Sequence, residues 1–307
     1  MPTPLVPLTL DTDGPTIWCK LEFLNPSGST KDRIARYMLE KAWRAGEIRS
    51  GSQVIEASSG STSIALALAC AQMGLSFIAV MPEGVTEERI LTIRAYGGEV
   101  VLVPKAEGVA GAIAYVEQTA KASGAFAPRQ FENPDNAEAH RIWTGQEILS
   151  QLPGGTVHAV VSGVGTGGTI VGLFQAFRDA GCPVIPFLAR PVNDGGFPRD
   201  AECCSFAFSG RVPGVVEGLS KLFQKAELPG LTELDISDEL AMETARRLIR
   251  RGFPVGPSSG LNYAASVEAA RRLGPQAHVV TVFPDRMERY FSTDLIQRLE
   301  CPQRMRF

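Results

Sequence analysis

Short apolar runs alternate with longer amphipathic stretches along nearly the whole chain. The runs that we predict as strands each end near Gly, Pro, Ser or Asp, and they are SQVIEAS (52–58), SFIAVMP (76–82), EVVLVP (99–104), HAVVSGV (158–164), PVIPFLA (183–189) and HVVTVFP (278–284). The predicted helices lie between them: TSIALALACAQMG (62–74), EERILTIRAYGG (87–98), GAIAYVEQTAKASG (111–124), GGTIVGLFQAFRDAG (167–181), SDELAMETARRLIRRG (237–252) and GLNYAASVEAARRLG (260–274). Apolar strands with intervening helices predict an α/β fold, in which parallel sheets have helices on both faces.

The longest apolar stretch, Ile64 to Met81, is long enough to consider as a membrane span. Gly74 divides it into an alanine-rich half and a β-branched half, so we predict a helix, a turn and a buried strand instead. The sequence opens without a signal peptide, and we expect a cytoplasmic protein that does not bind a membrane.

Composition narrows the function further. The chain has 307 residues, of which 44% are hydrophobic, enough for a large core arranged as two lobes. Its net charge is −3, with acidic and basic residues interspersed, so nucleic acid is not an expected partner. Six cysteines without a CxxC pair and three scattered histidines argue against a metal site. We interpret the neighbours Cys203 and Cys204 as reduced thiols.

A single lysine, Lys31, follows a run of small turn-forming residues in NPSGSTKDR (25–33). The preceding run WCKLEFL (18–24) reads as a strand, and Ser29 or Thr30 can cap a helix that starts near Lys31. This pattern places Lys31 at a strand-to-helix corner, where α/β proteins often locate their chemistry. The stretch alone is equally consistent with a solvated lysine at the start of a helix.

A glycine-rich turn, SGVGTGGTIVG (162–172), follows a predicted strand and opens a helix. Its glycines formally match the pattern GxGxxG. A nicotinamide site requires an acidic residue after the next strand, but Arg190 occupies that position. Consecutive backbone N–H groups at a helix N-terminus, with Thr166 and Thr169 beside them, predict a phosphate site. A purely structural turn is the alternative.

Two further small-residue turns precede helices. EASSGSTSIALA (56–67) places four hydroxyls near one helix start, more than capping needs, and so predicts an uncharged cradle for an anion. GPSSG (256–260) repeats the pattern before the last long helix. One lysine, a phosphate cradle and a carboxylate-sized cradle together indicate pyridoxal phosphate chemistry, in which a lysine forms a Schiff base with the cofactor.

In their order and spacing these motifs resemble the cysteine synthase (O-acetylserine sulfhydrylase) group of fold type II, tryptophan-synthase-β-like, pyridoxal-phosphate enzymes. The matching segments run nearly end to end: TPLV, KLEFLNPSGSTKDR, EASSGSTSIALA, MPEGVTEERILTIRAYGGEVVLV, QFENPDNAEAHRIWTGQEI, SGVGTGGT, GPSSG and FPDRMERYFST. The resemblance implies two parallel-sheet-based lobes with the cofactor between them and a homodimer. It also implies a smaller mobile lobe over 32–135 and a larger cofactor-binding lobe made of 1–31 and 136–307.

The resemblance also assigns roles to single residues. Lys31 would be the catalytic lysine that bonds to the cofactor, and Ser258 would contact the pyridine nitrogen. A serine there, unlike an aspartate, does not keep that nitrogen protonated, which suits β-elimination better than transamination. The cofactor phosphate would lie on Gly165, Thr166, Gly167, Gly168 and Thr169. The substrate carboxylate would be held by Ser58, Ser59, Gly60, Thr62 and Gln130.

Two departures from the family pattern leave the substrates open. Ser61 stands where the family usually has an asparagine that contacts the cofactor's phenolic oxygen, and its hydroxyl would donate a hydrogen bond to the cofactor there. The segment SGRVPGVVEGLSKLF replaces the family's usual segment at the site entrance. We expect β-replacement on an activated serine, by default O-acetylserine with sulfide, giving cysteine, and β-replacement with another nucleophile is an alternative. Arg211 raises O-phosphoserine as a second candidate donor. The sequence is also consistent with a β-eliminating lyase (desulfhydrase or dehydratase) and with a binding protein that lacks turnover.

Overall fold

Two β-sheets form the centre of the computed structural model, which describes residues 2–193, 211–212 and 218–297. The strands are Leu5–Leu8 (β1), Ile17–Lys20 (β2), Gln53–Ala57 (β3), Ser76–Pro82 (β4), Glu99–Val103 (β5), Ala159–Ser162 (β6), Ile185–Val192 (β7), Thr232–Ser237 (β8) and Val279–Val282 (β9). Within the described ranges the larger sheet has the order β1-β2-β9-β6-β7-β8 and the smaller has β3-β4-β5. Neighbouring strands pair in parallel, except that β1 pairs antiparallel with β2 at the sheet edge.

Helices connect the strands and cover both sheets. The α-helices are Lys31–Arg44 (α1), Ser61–Met73 (α2), Glu87–Ala95 (α3), Gly108–Ser123 (α4), Asp135–Ala139 (α5), Gln146–Gln151 (α6), Gly168–Asp179 (α7), Asp238–Arg250 (α8), Pro257–Leu273 (α9) and Asp294–Gln297 (α10). A π-helical segment, His140–Gly145, joins α5 to α6, and 3₁₀ turns lie at Glu22–Leu24, Lys105–Glu107, Lys225–Glu227 and Met287–Tyr290.

Helices cover both faces of each sheet. Because alternate side chains of a strand point in opposite directions, neighbouring residues of one strand pack into different cores. In β6, Val161 belongs to a core with α8 and α9, whereas its neighbour Val160 belongs to a core with α7. In β3, Val54 packs with the side of α1 and α2, and Ile55 packs with the side of α4. This arrangement confirms the predicted fold class, two parallel-sheet-based units with helices on both faces.

The predicted strands and helices are present, with three corrections. The run WCKLEFL is a strand only as far as Lys20, because Glu22 turns inward into a buried ion cluster and the chain continues as a 3₁₀ turn. The helix after GPSSG begins earlier, at Pro257, since proline suits the first helical turn. The edge strand β1, the strand β8 and the helical stretch 135–151 were not among the predicted elements.

The stretch Ile64 to Met81 is a helix and a strand, as predicted. The α2 helix ends at Met73, Gly74 turns the chain with φ of +68°, and β4 follows. None of the helices in the described part of the chain has the length and apolar character needed to cross a membrane.

Candidate active site

A cavity of about 1080 Å³, counting the part that opens to solvent, lies between the two sheets. Its wall includes Ser58 after β3, Ser162 at the end of β6 and Pro284 after β9, so it lies at the carboxyl ends of parallel strands. Most of the predicted site residues line it: Lys31, Ser58, Ser59, Ser61, Thr62, Gln130, Gly165, Thr166, Gly167, Thr169 and Ser258. The other two, Gly60 and Gly168, are not part of the lining.

Lys31 is the first residue of α1, at the corner that the sequence predicted. Its backbone N–H donates to the Ser29 hydroxyl at 3.2 Å, whereas the Thr30 hydroxyl makes no capping bond. Desolvation lowers the pKa of the Lys31 amine, and the nearby carboxylate of Asp285 opposes that shift. A lowered pKa enlarges the fraction of neutral amine, which is the form that attacks carbonyl carbons and accepts protons.

A buried ion cluster holds the start of α1 in place. Arg33 binds Glu22 at 2.8 Å and also forms a close ion pair with Glu147, which in turn accepts from Lys20 at 2.8 Å. Burial alone would raise the pKa of Glu22, but the Arg33 guanidinium outweighs it and lowers the pKa to about 2. The cluster therefore ties α1 to the end of β2 and to α6.

The glycine-rich turn precedes α7 and is closely packed. Gly167 has φ of +83°, and a Cβ there would lie 2.6 Å from the Cβ of Phe223. A Cβ on Gly168 would lie 1.9 Å from Oδ1 of Asn136, whose side-chain amide donates to the Thr166 hydroxyl at 2.9 Å. Only glycine fits at these two positions, so the backbone N–H groups at the start of α7 stay accessible to an anion.

His140 contacts the same turn from the π-helical segment. Its Nε2 lies 3.2 Å from the Thr169 hydroxyl and its Nδ1 lies 3.0 Å from the Thr144 hydroxyl. Burial is the main cause that lowers the pKa of His140 to about 3, so the imidazole is neutral. A neutral ring donates from one nitrogen and accepts at the other, which matches two hydroxyl neighbours.

The serine-rich loop after β3 is ordered by its own side chains. The Ser58 hydroxyl accepts from the N–H of Gly60 at 2.9 Å and of Ser63 at 3.3 Å. The Thr62 hydroxyl donates to Oε1 of Gln130 at 2.6 Å, and Nε2 of Gln130 donates to the carbonyl of Ala57 at 2.7 Å. Ser59, together with loop N–H groups, is thus the member best placed to meet a ligand.

Glu56 lies directly behind this loop and is buried. Its carboxylate accepts from the N–H of Ala57 at 2.9 Å and of Gln130 at 3.1 Å. Burial raises its pKa to about 7, although these backbone N–H groups oppose the shift. Glu56 therefore fixes the backbone beside Gln130 without lining the cavity itself.

Three residues that sequence reasoning did not single out also line the cavity: Arg89, Asp285 and Tyr290. Oδ2 of Asp285 accepts from the Ser61 hydroxyl at 3.1 Å and from the Tyr290 hydroxyl at 2.8 Å. Oδ1 of Asp285 is buried with no hydrogen-bond partner among the described residues. The segment FPDRMERYFST contributed to the resemblance, so its acid and its tyrosine could have been chosen as candidates from that signal.

Ser258 and Arg211 have different outcomes. Ser258 lies in the first turn of α9 and lines the cavity. Arg211 binds Glu239 and Asp294, each at 2.9 Å, and does not line the cavity. The variable segment around it, together with Cys203 and Cys204, lies for the most part outside the described residues.

The family model described as pyridoxal-phosphate dependent enzyme matches residues 1–285. The chain belongs to this family. A cysteine synthase of Staphylococcus aureus is 39% identical over 308 aligned positions, which cover 95% of this chain and 94% of the relative. O-ureido-L-serine synthase superposes with a TM-score of 0.85 at 31% identity, covering 97% and 93% of the two chains. An O-acetylserine dependent cystathionine β-synthase from Helicobacter pylori gives 0.84 at 32% identity, covering 95% of each chain.

The chain is therefore a cysteine synthase-like, pyridoxal-phosphate-dependent β-replacement enzyme of fold type II. The residues around the cavity have the chemical groups that this cofactor requires. Lys31 offers an amine, the turn before α7 offers backbone N–H groups to a phosphate, and Ser258 offers a hydroxyl to a ring nitrogen. The buried hydroxyl of Thr30 and Oδ1 of Asp285 lack partners in the described structure, as expected for atoms that face a polar ligand.

Proposed function

We propose that the enzyme replaces the acetoxy group of O-acetylserine with sulfide and so forms cysteine. The observation that supports this proposal most directly is a single cavity that contains an amine, a phosphate-sized turn and a carboxylate-sized loop. Bound pyridoxal phosphate supplies an electron sink at the α-carbon of an amino acid. The residues around it then have to orient the substrate and move one proton.

Lys31 is the residue we assign to that proton. Its amine lies near Asp285, and desolvation lowers its pKa, which enlarges the fraction of the neutral, proton-accepting form. A base that lies against the cavity can take the α-proton of the bound amino acid and return a proton later. The same amine attaches the cofactor when no substrate is present.

The serine-rich loop orients the amino acid. We assign the substrate carboxylate to Ser59 and the N–H groups at the start of α2, where the helix dipole favours negative charge. Thr62 and Gln130 hold this loop in place, because their side chains form a hydrogen bond with each other. Ser58, Gly60 and Gly168 would act by shaping the backbone.

The position of Arg211 bears on the choice of donor. Arg211, the residue that suggested O-phosphoserine, is held by two carboxylates and lies outside the lining. The relative from Helicobacter pylori is named for its dependence on O-acetylserine, which supports the acetylated donor. The O-ureido-L-serine synthase shows that similar chains are named for other products, so the nucleophile needs a direct test.

The decisive experiment combines a lysine variant with a panel of serine derivatives. The purified protein should absorb visible light, and borohydride should fix the cofactor on Lys31, as determined by peptide mass spectrometry. Lys31→Ala should lose both properties together with turnover. A protein-linked, borohydride-reducible cofactor in Lys31→Ala would refute the assignment.

The panel tests the substrates separately. O-acetylserine with sulfide should give cysteine, and O-acetylserine alone should give little pyruvate. Steady pyruvate and ammonia from the donor alone would support the β-eliminating lyase instead. Faster turnover of O-phosphoserine would replace the proposed donor, and a cofactor-loaded protein inert toward every derivative would support a binding role.

We further propose a cytoplasmic homodimer with a smaller lobe over 32–135 that closes on the substrate. This range contains the sheet β3-β4-β5 and the serine-rich loop. Light scattering measures the mass of the assembly, and small-angle X-ray scattering with and without serine measures closure. A monomer, or a scattering profile that serine leaves unchanged, would contradict these proposals.

A further inference from the structure

Arg89, on α3, is a buried cation in the cavity wall whose function the proposal above does not use. The residue is only 6% exposed, yet it lines the cavity. One terminal nitrogen donates to the Thr86 hydroxyl at 3.1 Å, and the guanidinium carbon lies 4.9 Å from the centre of the Tyr290 ring. Its Nε is buried with no hydrogen-bond partner among the described residues. A buried donor on a charged group without a partner is costly, which points to a ligand.

Neither neighbouring carboxylate forms an ion pair with Arg89 in the described part of the chain, although Oδ1 of Asp285 also lacks a partner there. Glu88, next to Arg89 on α3, accepts from the backbone and hydroxyl of Ser292. Asp285 accepts from Ser61 and Tyr290. Of the described residues that line the cavity, Lys31 and Arg89 have basic side chains, and Lys31 is assigned to the cofactor. Arg89 is therefore the cation that remains for the substrate.

Arg89 packs directly against the serine-rich loop. A Cβ on Gly60 would lie 2.1 Å from Cδ of Arg89 and 2.6 Å from its Nε. Gly60 also has φ of +147°, where side chains other than hydrogen are strained. Gly60 of the loop therefore lies directly against the side chain of Arg89, next to its Cδ and Nε.

We propose that Arg89 is a substrate-binding residue that recognises the α-carboxylate of the amino-acid donor, together with the serine-rich loop. This inference rests on the proposed function. Hydroxyls and backbone N–H groups alone give a neutral cradle, which also accepts the carbonyl of an amide or an ester. A guanidinium adds a full positive charge and a charge-assisted hydrogen bond, so the site selects amino acids with a free carboxylate.

The test compares two ligands that differ at this one group, L-serine and L-serinamide. Both bind without a good leaving group, so calorimetry on the cofactor-loaded enzyme reports affinity rather than turnover. The wild type should bind serine more tightly than serinamide. Arg89→Met should weaken the binding of serine about 10- to 100-fold, which corresponds to the loss of one charge-assisted hydrogen bond. It should leave the affinity for serinamide nearly unchanged.

Two further variants make the comparison specific. Arg94→Met removes the same charge from an exposed position on the same helix and should change neither affinity. Arg89→Lys keeps the charge but lacks the Nε donor, so it should weaken serine less than Arg89→Met does. If Arg89→Met does not fold, Arg89→Lys provides the test. A several-fold loss of affinity for serine, with no loss for serinamide, would then support the proposed role of Arg89.

The outcomes separate this inference from the function on which it rests. Equal weakening of both ligands, or no change for either, would show that Arg89 only ties α3 to Tyr290, and the inference would fail alone. A wild-type enzyme that holds its cofactor but binds neither ligand would overturn the proposed function and this inference together.

Discussion

Replacing Arg33 with methionine should strongly destabilise the enzyme although Arg33 does not line the cavity. The substitution keeps the length of the side chain and removes the cation that joins Glu22 to Glu147. Lys20 remains to pair with Glu147 at 2.8 Å. Glu22, which is fully buried, would keep only the neutral donors Thr3 and Asn25.

The expected cost follows from the pKa of Glu22. The surroundings lower it from 4.5 to about 2, with Arg33 as the main stabilising partner against the desolvation of the carboxylate. At 1.36 kcal/mol per tenfold change in proton affinity, that fall corresponds to about 3 kcal/mol. Removing one partner of a buried ion pair generally costs about 3–5 kcal/mol. We therefore expect Arg33→Met to lose about 3–5 kcal/mol of unfolding free energy at neutral pH.

Urea unfolding measures this loss, and Arg36→Met is the matched control. Arg36 is on the same helix with 65% of its side chain exposed, where it pairs with Glu40 and lies 5.6 Å from the ring centre of Trp143. Its removal should cost no more than about 1 kcal/mol. Similar losses in the two variants would refute the assignment of a buried, energetically important cluster.

The pH dependence of stability gives a second check, because the contribution of Glu22 should change in opposite directions in the wild type and in Arg33→Met. In the wild type the pKa of Glu22 is depressed, so its contribution is present above about pH 4.5 and is lost as the pH falls toward about 2. In Arg33→Met the burial of Glu22 should raise its pKa above 4.5. That variant should then gain stability, relative to the wild type, as the pH falls from about 7 to about 5. A constant difference over this range would contradict the account.

Two further predictions concern residues at the serine-rich loop. The pKa of Glu56 is raised to about 7, so its stabilising contribution is lost as the pH rises; relative to Glu56→Gln, the wild type should lose about 2–3 kcal/mol between about pH 5 and about pH 8. Parallel urea-unfolding profiles of the two proteins would disprove this. Ser61→Ala removes the hydroxyl that we expect to contact the cofactor's phenolic oxygen, a hydrogen bond of about 0.5–1.5 kcal/mol, so leaving-group departure should slow by roughly up to tenfold while the cofactor stays bound. Stopped-flow rates that do not change for any donor would mean that this hydroxyl has no role in the reaction.

Much of the fold could be predicted because its strands and helices have simple periodicities. The buried parallel strands read as apolar runs, and the helices between them end at glycines such as Gly74 and Gly124, which turn the chain with positive φ. The elements that were missed have weaker signals. The strand β8, TELDIS, alternates polar and apolar residues at a sheet edge, and the stretch 135–151 is interrupted by a π-helical segment.

The site was predictable where chemistry depends on the backbone, and less so where it depends on tertiary packing. Glycine and serine turns before helices predict anion sites from the sequence itself, and the structure places Gly167 and Ser59 in the wall of one cavity. Nothing local distinguishes Arg89 from the other arginines of the chain, since its burial arises from Gly60 and Tyr290, which are distant in sequence. For the same reason the sequence could raise Arg211 as a ligand-binding cation but could not show its pairing with Glu239 and Asp294.

The glycine-rich turn and the serine-rich loop are connected by hydrogen bonds, which explains why neither can be understood alone. The side chain of Gln130 accepts from Thr62 in the serine-rich loop, and its backbone carbonyl accepts from Asn136 at 2.7 Å. The same amide of Asn136 donates to Thr166 in the glycine-rich turn. A shift of either turn therefore strains hydrogen bonds that hold the other, so the positions that we propose for the cofactor phosphate and the substrate carboxylate are set together. Their spacing depends on residues 130–136, a segment that lines the cavity only at its first two positions.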